Sequence, residues 1–261
     1  MIETILNHHG FSRLPFGKNI TPEEIFVSSG ITETSAMIEL GLASEDIILL
    51  TGPIGCGKSL AARRAVGQLD STRYLPIYLR GNISSPAELF KMVLRGMKIN
   101  PPHSIAKAKP LFFSAVSEAV RKPLVILDDA QDISQDALLS LKAMTNFDSD
   151  SRNLITFILV GQPELTAILS YSDFESLRTR IRVSHHMTGM SLEETIRYID
   201  HGLELVKKAD MLFSDNAKME VYKRTKGIAR KINSLCYKAI VWATVEKRHS
   251  IDAADIPVDE I

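Results

Sequence analysis

Cysteine is scarce in this chain of 261 residues: Cys56 and Cys236 are the only two, and they lie far apart. That pattern argues against a disulfide framework and makes a reducing cytoplasm the expected compartment. No apolar run approaches the length of a membrane span, so no membrane partner is expected. The opening MIETILNHHG has no basic region feeding an apolar stretch, which excludes a recognisable secretory signal. Net charge is also missing, since 31 Lys and Arg balance 31 Asp and Glu. A bulk electrostatic pull on nucleic acid is therefore absent, and only a local basic stripe remains open. There is no internal repeat, no low-complexity linker, and no interleaving of aromatics with basic residues to suggest base stacking.

What is present is an ordinary globular composition, 45% apolar and 24% charged, at a length that fits one large domain or two small ones. The most specific motif is Gly52-Pro53-Ile54-Gly55-Cys56-Gly57-Lys58-Ser59, which matches the phosphate-binding pattern G-x-x-x-x-G-K-[ST]. An apolar run suited to a buried strand, Ile47-Ile48-Leu49-Leu50, precedes it, and a helix-forming stretch beginning at Leu60 follows. Glycines allow backbone N–H groups to converge on an anion, and the helix adds unpaired N–H groups and the positive end of its dipole. Lys58 is placed to meet the β- and γ-phosphates, and the Ser59 hydroxyl to ligate Mg2+. Leu60 completes the expected nucleotide-binding segment.

A second strand signal, LVILDDAQD at residues 124–132, runs into two consecutive aspartates. Ligands of open parallel sheets bind at carboxyl strand ends. One carboxylate there, Asp128, can hold the Mg2+ shell while the next, Asp129, polarises the attacking water. Asp129 is one methylene shorter than the Glu usual in that role. A solvated acidic turn is the competing reading for Asp129.

These motifs resemble the AAA+ ATPases, and in particular the ExeA-like group and its transposition-helper relatives (TniB-, TnsC- and IstB-like). The likeness spans nearly the whole chain. HHGFSRLPFGKNI at residues 8–20 is similar to the group's opening, which helps close the base pocket. ITFILVGQPEL at residues 155–165 is similar to its strand and sensor turn, which gives Gln162 a sensor role. LRTRI at residues 177–181 is similar to its arginine-finger segment, with Arg180 as the best match among Arg178, Arg180 and Arg182. TKGIARKIN at residues 225–233 is similar to its second sensor, with Arg230 as the lid arginine and Ala229 where the group usually has proline. The resemblance implies ATP and Mg2+ as ligands and an active site completed by a neighbouring subunit of a homo-oligomeric ring or filament. It also implies adenine as the base; no guanine-reading motif is evident.

Strands are expected at 47–51, 74–80, 124–128 and 155–161, with a weaker fifth near 183–187 and helices between them. Ser85-Pro86-Ala87-Glu88 and Ser191-Leu192-Glu193-Glu194 read as capped helix starts. The expected fold is α/β: a three-layer P-loop AAA+ domain with a mainly parallel five-stranded sheet, followed by a small α-helical lid. Its expected limits are residues 1–189, with 1–46 as a base-pocket segment, and 190–261. In the transposition helpers, DNA contacts come from the region between the P-loop helix and the second acidic strand. Here that region offers Arg80 and Asn82, then KINPPHSIAKAKP at residues 98–110 as a lysine-bearing loop with Lys98, Lys107 and Lys109. Phosphate contacts of this kind predict salt-dependent binding of double-stranded DNA without strong sequence preference.

Two functions follow from the resemblance. One is a DNA-binding ATP switch that delivers target DNA to a transposase, slow in hydrolysis until assembled on DNA. The other is an ATPase serving a secretion or envelope complex. Full-length proteins of that second kind carry a membrane segment and a cell-wall-binding domain, which this sequence does not show, so the first is the expectation.

Overall fold

The computed structural model describes residues 1–17, 20–44, 47–147, 153–207 and 211–257. Parts of three expected segments lie outside the described residues: 18–19 of the 8–20 opening, 45–46 of the base-pocket segment, and 208–210 and 258–261 of the lid. In chain order the elements are α1 (Ile2–His9), α2 (Ser29–Ser44), β1 (Ile47–Thr51), α3 (Lys58–Gly67), β2 (Tyr74–Arg80), α4 (Pro86–Gly96) and α5 (Ile105–Ser117). They continue as β3 (Lys122–Asp128), α6 (Gln135–Met144), β4 (Thr156–Gly161), α7 (Pro163–Leu169), α8 (Glu175–Arg178) and β5 (Ile181–His186). Three further helices follow, α9 (Leu192–Glu204), α10 (Asp215–Thr225) and α11 (Ala229–Val245).

Backbone proximity divides the chain into two compact units. The sheet unit comprises Thr32–Gly52 and Lys58–Met187. Its five strands run parallel in the order β2-β3-β4-β1-β5, so β2 and β5 are the edges. The central strands are apolar throughout because both faces are covered: every residue of β1 and β4 is buried, as is β3 from Pro123 to Asp128. Edge strand β2 alternates instead, burying Ile77 and Leu79 while exposing Tyr78 and Arg80. A core formed by Val125, Leu127, Phe157 and Leu159 with Leu89, Phe90, Phe112 and Leu141 holds helices against the sheet. Each such side chain, fully buried, contributes about 1.5–3 kcal/mol.

The lysine-bearing loop expected at residues 98–110 is corrected. Only its first part is irregular; α5 begins at Ile105, so Lys107 and Lys109 are exposed residues of a helix. Pro110 sits inside that helix, at the cost of one backbone hydrogen bond. The helix forms because Ala108, Phe112 and Val116, spaced by four, are all buried.

The helical unit comprises Met1–Ile31, Pro53–Gly57 and Thr188–Ile261. Its own core joins Ile5 and Phe11 of the N-terminal segment to Ile199, Leu203, Phe213, Leu235 and Ile240. The Ser191 capping box is complete: the Ser191 hydroxyl accepts from Glu194 N–H, and the Glu194 carboxylate accepts from Ser191 N–H. The same carboxylate accepts from Ser29 N–H at 2.6 Å, which ties the start of α2 to α9. The start of α4 differs in detail: Ser85 caps as expected, but Glu88 turns back to Ser84 N–H and Oγ.

Candidate functional site

The segment from β1 to α3 has the strand–loop–helix order that the motif requires. Its tip needs glycine at Gly55 on two counts. The backbone there has φ +83°, and an added Cβ would lie 2.5 Å from Arg230 Cβ. Gly57 is also left-handed, at φ 105°. Cys56 is buried, in keeping with a small loop-filling residue, while Pro53 is half-buried and Ile54 and Leu60 are exposed.

Within the sheet unit the end of β3 gathers the chemistry. Ser59 Oγ donates to Asp128 Oδ1 at 2.8 Å, so hydroxyl and carboxylate meet across sixty-nine positions of sequence. Lys58 Nζ donates to Gly52 O at 2.7 Å. Asp128 is nine-tenths buried and also accepts from Asp129 N–H. A serine hydroxyl and one carboxylate are hard oxygen ligands of the number that Mg2+ takes from protein when phosphates supply the rest. The residues present therefore fit Mg2+ and a nucleotide.

After Asp128 the chain takes a left-handed step at Asp129, φ 54° and ψ 45°. A short polar side chain tolerates that conformation. The step carries the Asp129 carboxylate toward edge strand β2, where Arg80 Nε donates to Oδ2 at 3.2 Å. A short 3-10 turn, Ala130–Asp132, then brings Gln131 back toward β4. Gln131 Oε1 accepts from Gln162 N–H at 3.0 Å, and its Nε2 donates to Asp132. Gln162 stands at the start of α7 beyond β4, the immediate neighbour of β3. Sequence reasoning missed Gln131. The signal was present, a glutamine two residues past the aspartates, but it acquires meaning only once β3 and β4 are paired. His186 was missed too: its Nδ1 lies 3.0 Å from Thr51 Oγ1, linking the ends of β5 and β1.

The three arginines separate. Arg178 Nη1 donates to Leu169 O and Ser170 O at the C-terminal end of α7. Cations are favoured at helix C-termini, so this residue holds a helix end. Arg180 is half-buried and Nη1 donates to Thr145 Oγ1 at 3.3 Å. Arg182 is an exposed residue of β5. Of the expected DNA-contacting residues, Arg80, Asn82, Lys98, Lys107 and Lys109 are all exposed. Arg80 lies at the end of β2, Lys98 just beyond α4, and Lys107 and Lys109 on α5.

Within the helical unit, Arg230 is the second residue of α11 and its N–H donates to Gly55 O at 3.1 Å. Three residues on, Asn233 Oδ1 accepts from Tyr198 Oη at 2.9 Å. Asn233 and Tyr198 line a cavity of about 330 Å³ together with Phe16, Phe26 and His201. The Phe26 and Tyr198 rings meet edge to face, and His201 Nε2 lies 2.8 Å from Glu24 O. Burial in this wall raises the Tyr198 hydroxyl above the usual phenol range, against the opposing pull of its Asn233 bond.

The architecture and the strand-end chemistry define a P-loop AAA+ fold. Residues 42–169 match the family model described as "AAA domain". General secretion pathway protein A of Aeromonas hydrophila is 25% identical over 255 residues, covering 95% of this chain and 46% of that protein. The chain thus spans about half the length of the curated relative it matches. Among solved structures, Cdc6p from Pyrobaculum aerophilum aligns with TM-score 0.70 and 15% identity over 90% of this chain and 67% of that one. The Aeropyrum pernix ORC1 protein in complex with DNA aligns with TM-score 0.62 and 14% identity, over 92% and 65%. Among the described residues, no helix is long and apolar enough to cross a membrane.

Proposed function

We propose that this protein binds ATP with Mg2+, hydrolyses it slowly alone, and hydrolyses it faster as a homo-oligomer on double-stranded DNA. The observation that carries the nucleotide reading is the Ser59–Asp128 hydrogen bond beside Lys58 at the end of β3. Ser59 and Asp128 hold the metal, and Lys58 and the loop N–H groups bind the phosphates. When bound, Mg2+ neutralises charge on the β- and γ-phosphate oxygens. Asp129 accepts a hydrogen bond from the attacking water and takes its proton as the oxygen bonds the γ-phosphorus, and ADP leaves with the bridging oxygen. Gln162 orients the water or the γ-phosphate. Arg180, donated in trans, stabilises the transferring phosphoryl group, and Arg230 acts as the lid arginine of the α-helical segment 190–261. Within the helical unit, the cavity lined by Phe16, Phe26, Tyr198 and Asn233 supports the reading of the N-terminal stretch as a base-pocket segment.

The client is read as target DNA delivered to a transposase in the cytoplasm. Exposure of Arg80, Asn82, Lys98, Lys107 and Lys109 supports DNA as the ligand, as does the likeness of fold to a protein solved with DNA. The second reading, an ATPase serving a secretion complex, draws on the similarity to General secretion pathway protein A. Steady-state ATP hydrolysis with and without duplex DNA, at low and moderate salt, separates them. The expected result is stimulation by DNA that fades as salt rises. A rate indifferent to DNA would turn the reading to a protein client.

A further inference from the structure

The phosphate loop starts at Gly52, directly after Thr51, the last residue of β1. Thr51 is gripped from the end of β5 at two points. Its carbonyl accepts from Met187 N–H at 2.8 Å, and its hydroxyl oxygen lies 3.0 Å from His186 Nδ1. We infer that His186 is a positioning residue for the nucleotide: by fixing Thr51 it fixes the start of the phosphate loop, and so strengthens binding of the ATP phosphates. This rests on the reading of the loop as the nucleotide site, and it assigns to that site a residue outside the phosphate-binding motif.

Burial gives the contact its weight. Thr51 is 3% exposed, so its hydroxyl depends on a partner within the protein. Thr51 and His186 are register partners on neighbouring parallel strands, which sends both side chains to the same face of the sheet. A hydroxyl both donates and accepts, so the bond forms with either tautomer of the imidazole. From Thr51 the contact continues into the loop. Gly52 presents the carbonyl that accepts from Lys58 Nζ at 2.7 Å. A short path therefore runs from His186 through Thr51 and Gly52 to Lys58, all of it inside the sheet unit. On its other side Thr51 pairs with Gly161 of β4, so β5 supplies the grip from the edge. His186 itself is exposed and fills no core space, so its truncation removes a bond without opening a cavity. The phosphates are held in ground state and transition state alike, so affinity rather than the chemical step carries the effect.

The test measures affinity for a non-hydrolysable ATP analogue with Mg2+ by isothermal titration, together with steady-state ATP turnover and the urea midpoint of the nucleotide-free protein. His186→Ala should weaken affinity about three- to tenfold, the contribution of one hydrogen bond, and raise KM to match while kcat stays within about twofold. Thr51→Val removes the same bond from the other side and should lose the same factor, and the double variant should lose no more than either single one. His186→Asn, whose side-chain amide can take the place of Nδ1, and Thr51→Ser, which keeps the hydroxyl, should each retain most of the affinity. Wild-type affinity in His186→Ala overturns the inference, whether or not the urea midpoint falls, as do losses that add fully in the double variant. Lys58→Ala separates the two failures: if it loses nucleotide binding while His186→Ala binds as wild type, only the inference falls. If Lys58→Ala binds the analogue as wild type does, the nucleotide reading of the loop falls and takes the inference with it.

Discussion

Two ion pairs, one in each unit, show how differently the molecule uses charge. In the helical unit Lys218 is 5% exposed and held by Asp200 at 2.6 Å, with Asp215 at 3.8 Å. In the sheet unit Arg80 is largely open to solvent and pairs at 3.2 Å with a half-buried Asp129. A buried ammonium with its partners removed is expensive, so the first pair fixes position. An exposed pair has little net worth, so the second can be exchanged for another partner. Two further side chains of the helical unit follow the first pattern. Glu194 is spent on two backbone N–H groups, and Arg224 on Glu220 and on the carbonyls of Ile256 and Pro257. At the end of β3 the sheet unit holds both kinds, the buried Asp128 on Ser59 and the more open Asp129 on Arg80.

The largest effect expected of any single change is at the phosphate loop. Lys58→Ala removes the charge proposed to meet the phosphates, and turnover should fall by about 100-fold or more, read in steady-state ATP hydrolysis. Unfolding in urea should barely move, which separates a functional lysine from a structural one. The converse is expected of the buried pair. Asp200→Ala leaves Lys218 with only its 3.8 Å partner and should destabilise the protein by about 2–3 kcal/mol, whereas Lys218→Met, which removes the charge itself, should cost less. Equal losses from the two variants would contradict the positional role.

A smaller effect, about 1 kcal/mol, is expected of Glu194→Gln. Burial alone would raise the Glu194 carboxyl, but the N–H groups of Ser29 and Ser191 outweigh it and hold the group below its ordinary value of 4.5. A carboxylate depressed in the folded state contributes stability above the ordinary value and loses it as pH falls through the depressed one. The gap between wild type and variant should therefore be full near neutrality and close as the solution is acidified below pH 4.5. A gap that widens on acidification would contradict the assignment.

Much of the sheet was legible in sequence. The runs at 47–51 and 74–80 became β1 and β2 with the expected limits, and the other three strands shifted by one or two residues. The meeting of Ser59 with Asp128 follows from motif order. Other features depended on pairings that no local pattern encodes. The turn of Asp129 toward Arg80 needs β2 beside β3, and the bond from Gln131 to Gln162 needs β3 beside β4. The anchoring of Arg178 on the end of α7 needs that short helix in place. The stretch at 98–110 carries lysines that suggest a loop, while burial of Ala108, Phe112 and Val116 makes its second part helical despite Pro110.

The division of labour between the two adjacent aspartates is the centre of this account, and paired measurements on Asp128→Asn and Asp129→Asn test it most directly. ATP affinity with and without Mg2+ should be read beside turnover. Asp128→Asn should lose the Mg2+-dependent part of affinity. Asp129→Asn should bind as wild type does and turn over about 100-fold or more slowly. Wild-type turnover in Asp129→Asn, or undiminished Mg2+ dependence in Asp128→Asn, would contradict it.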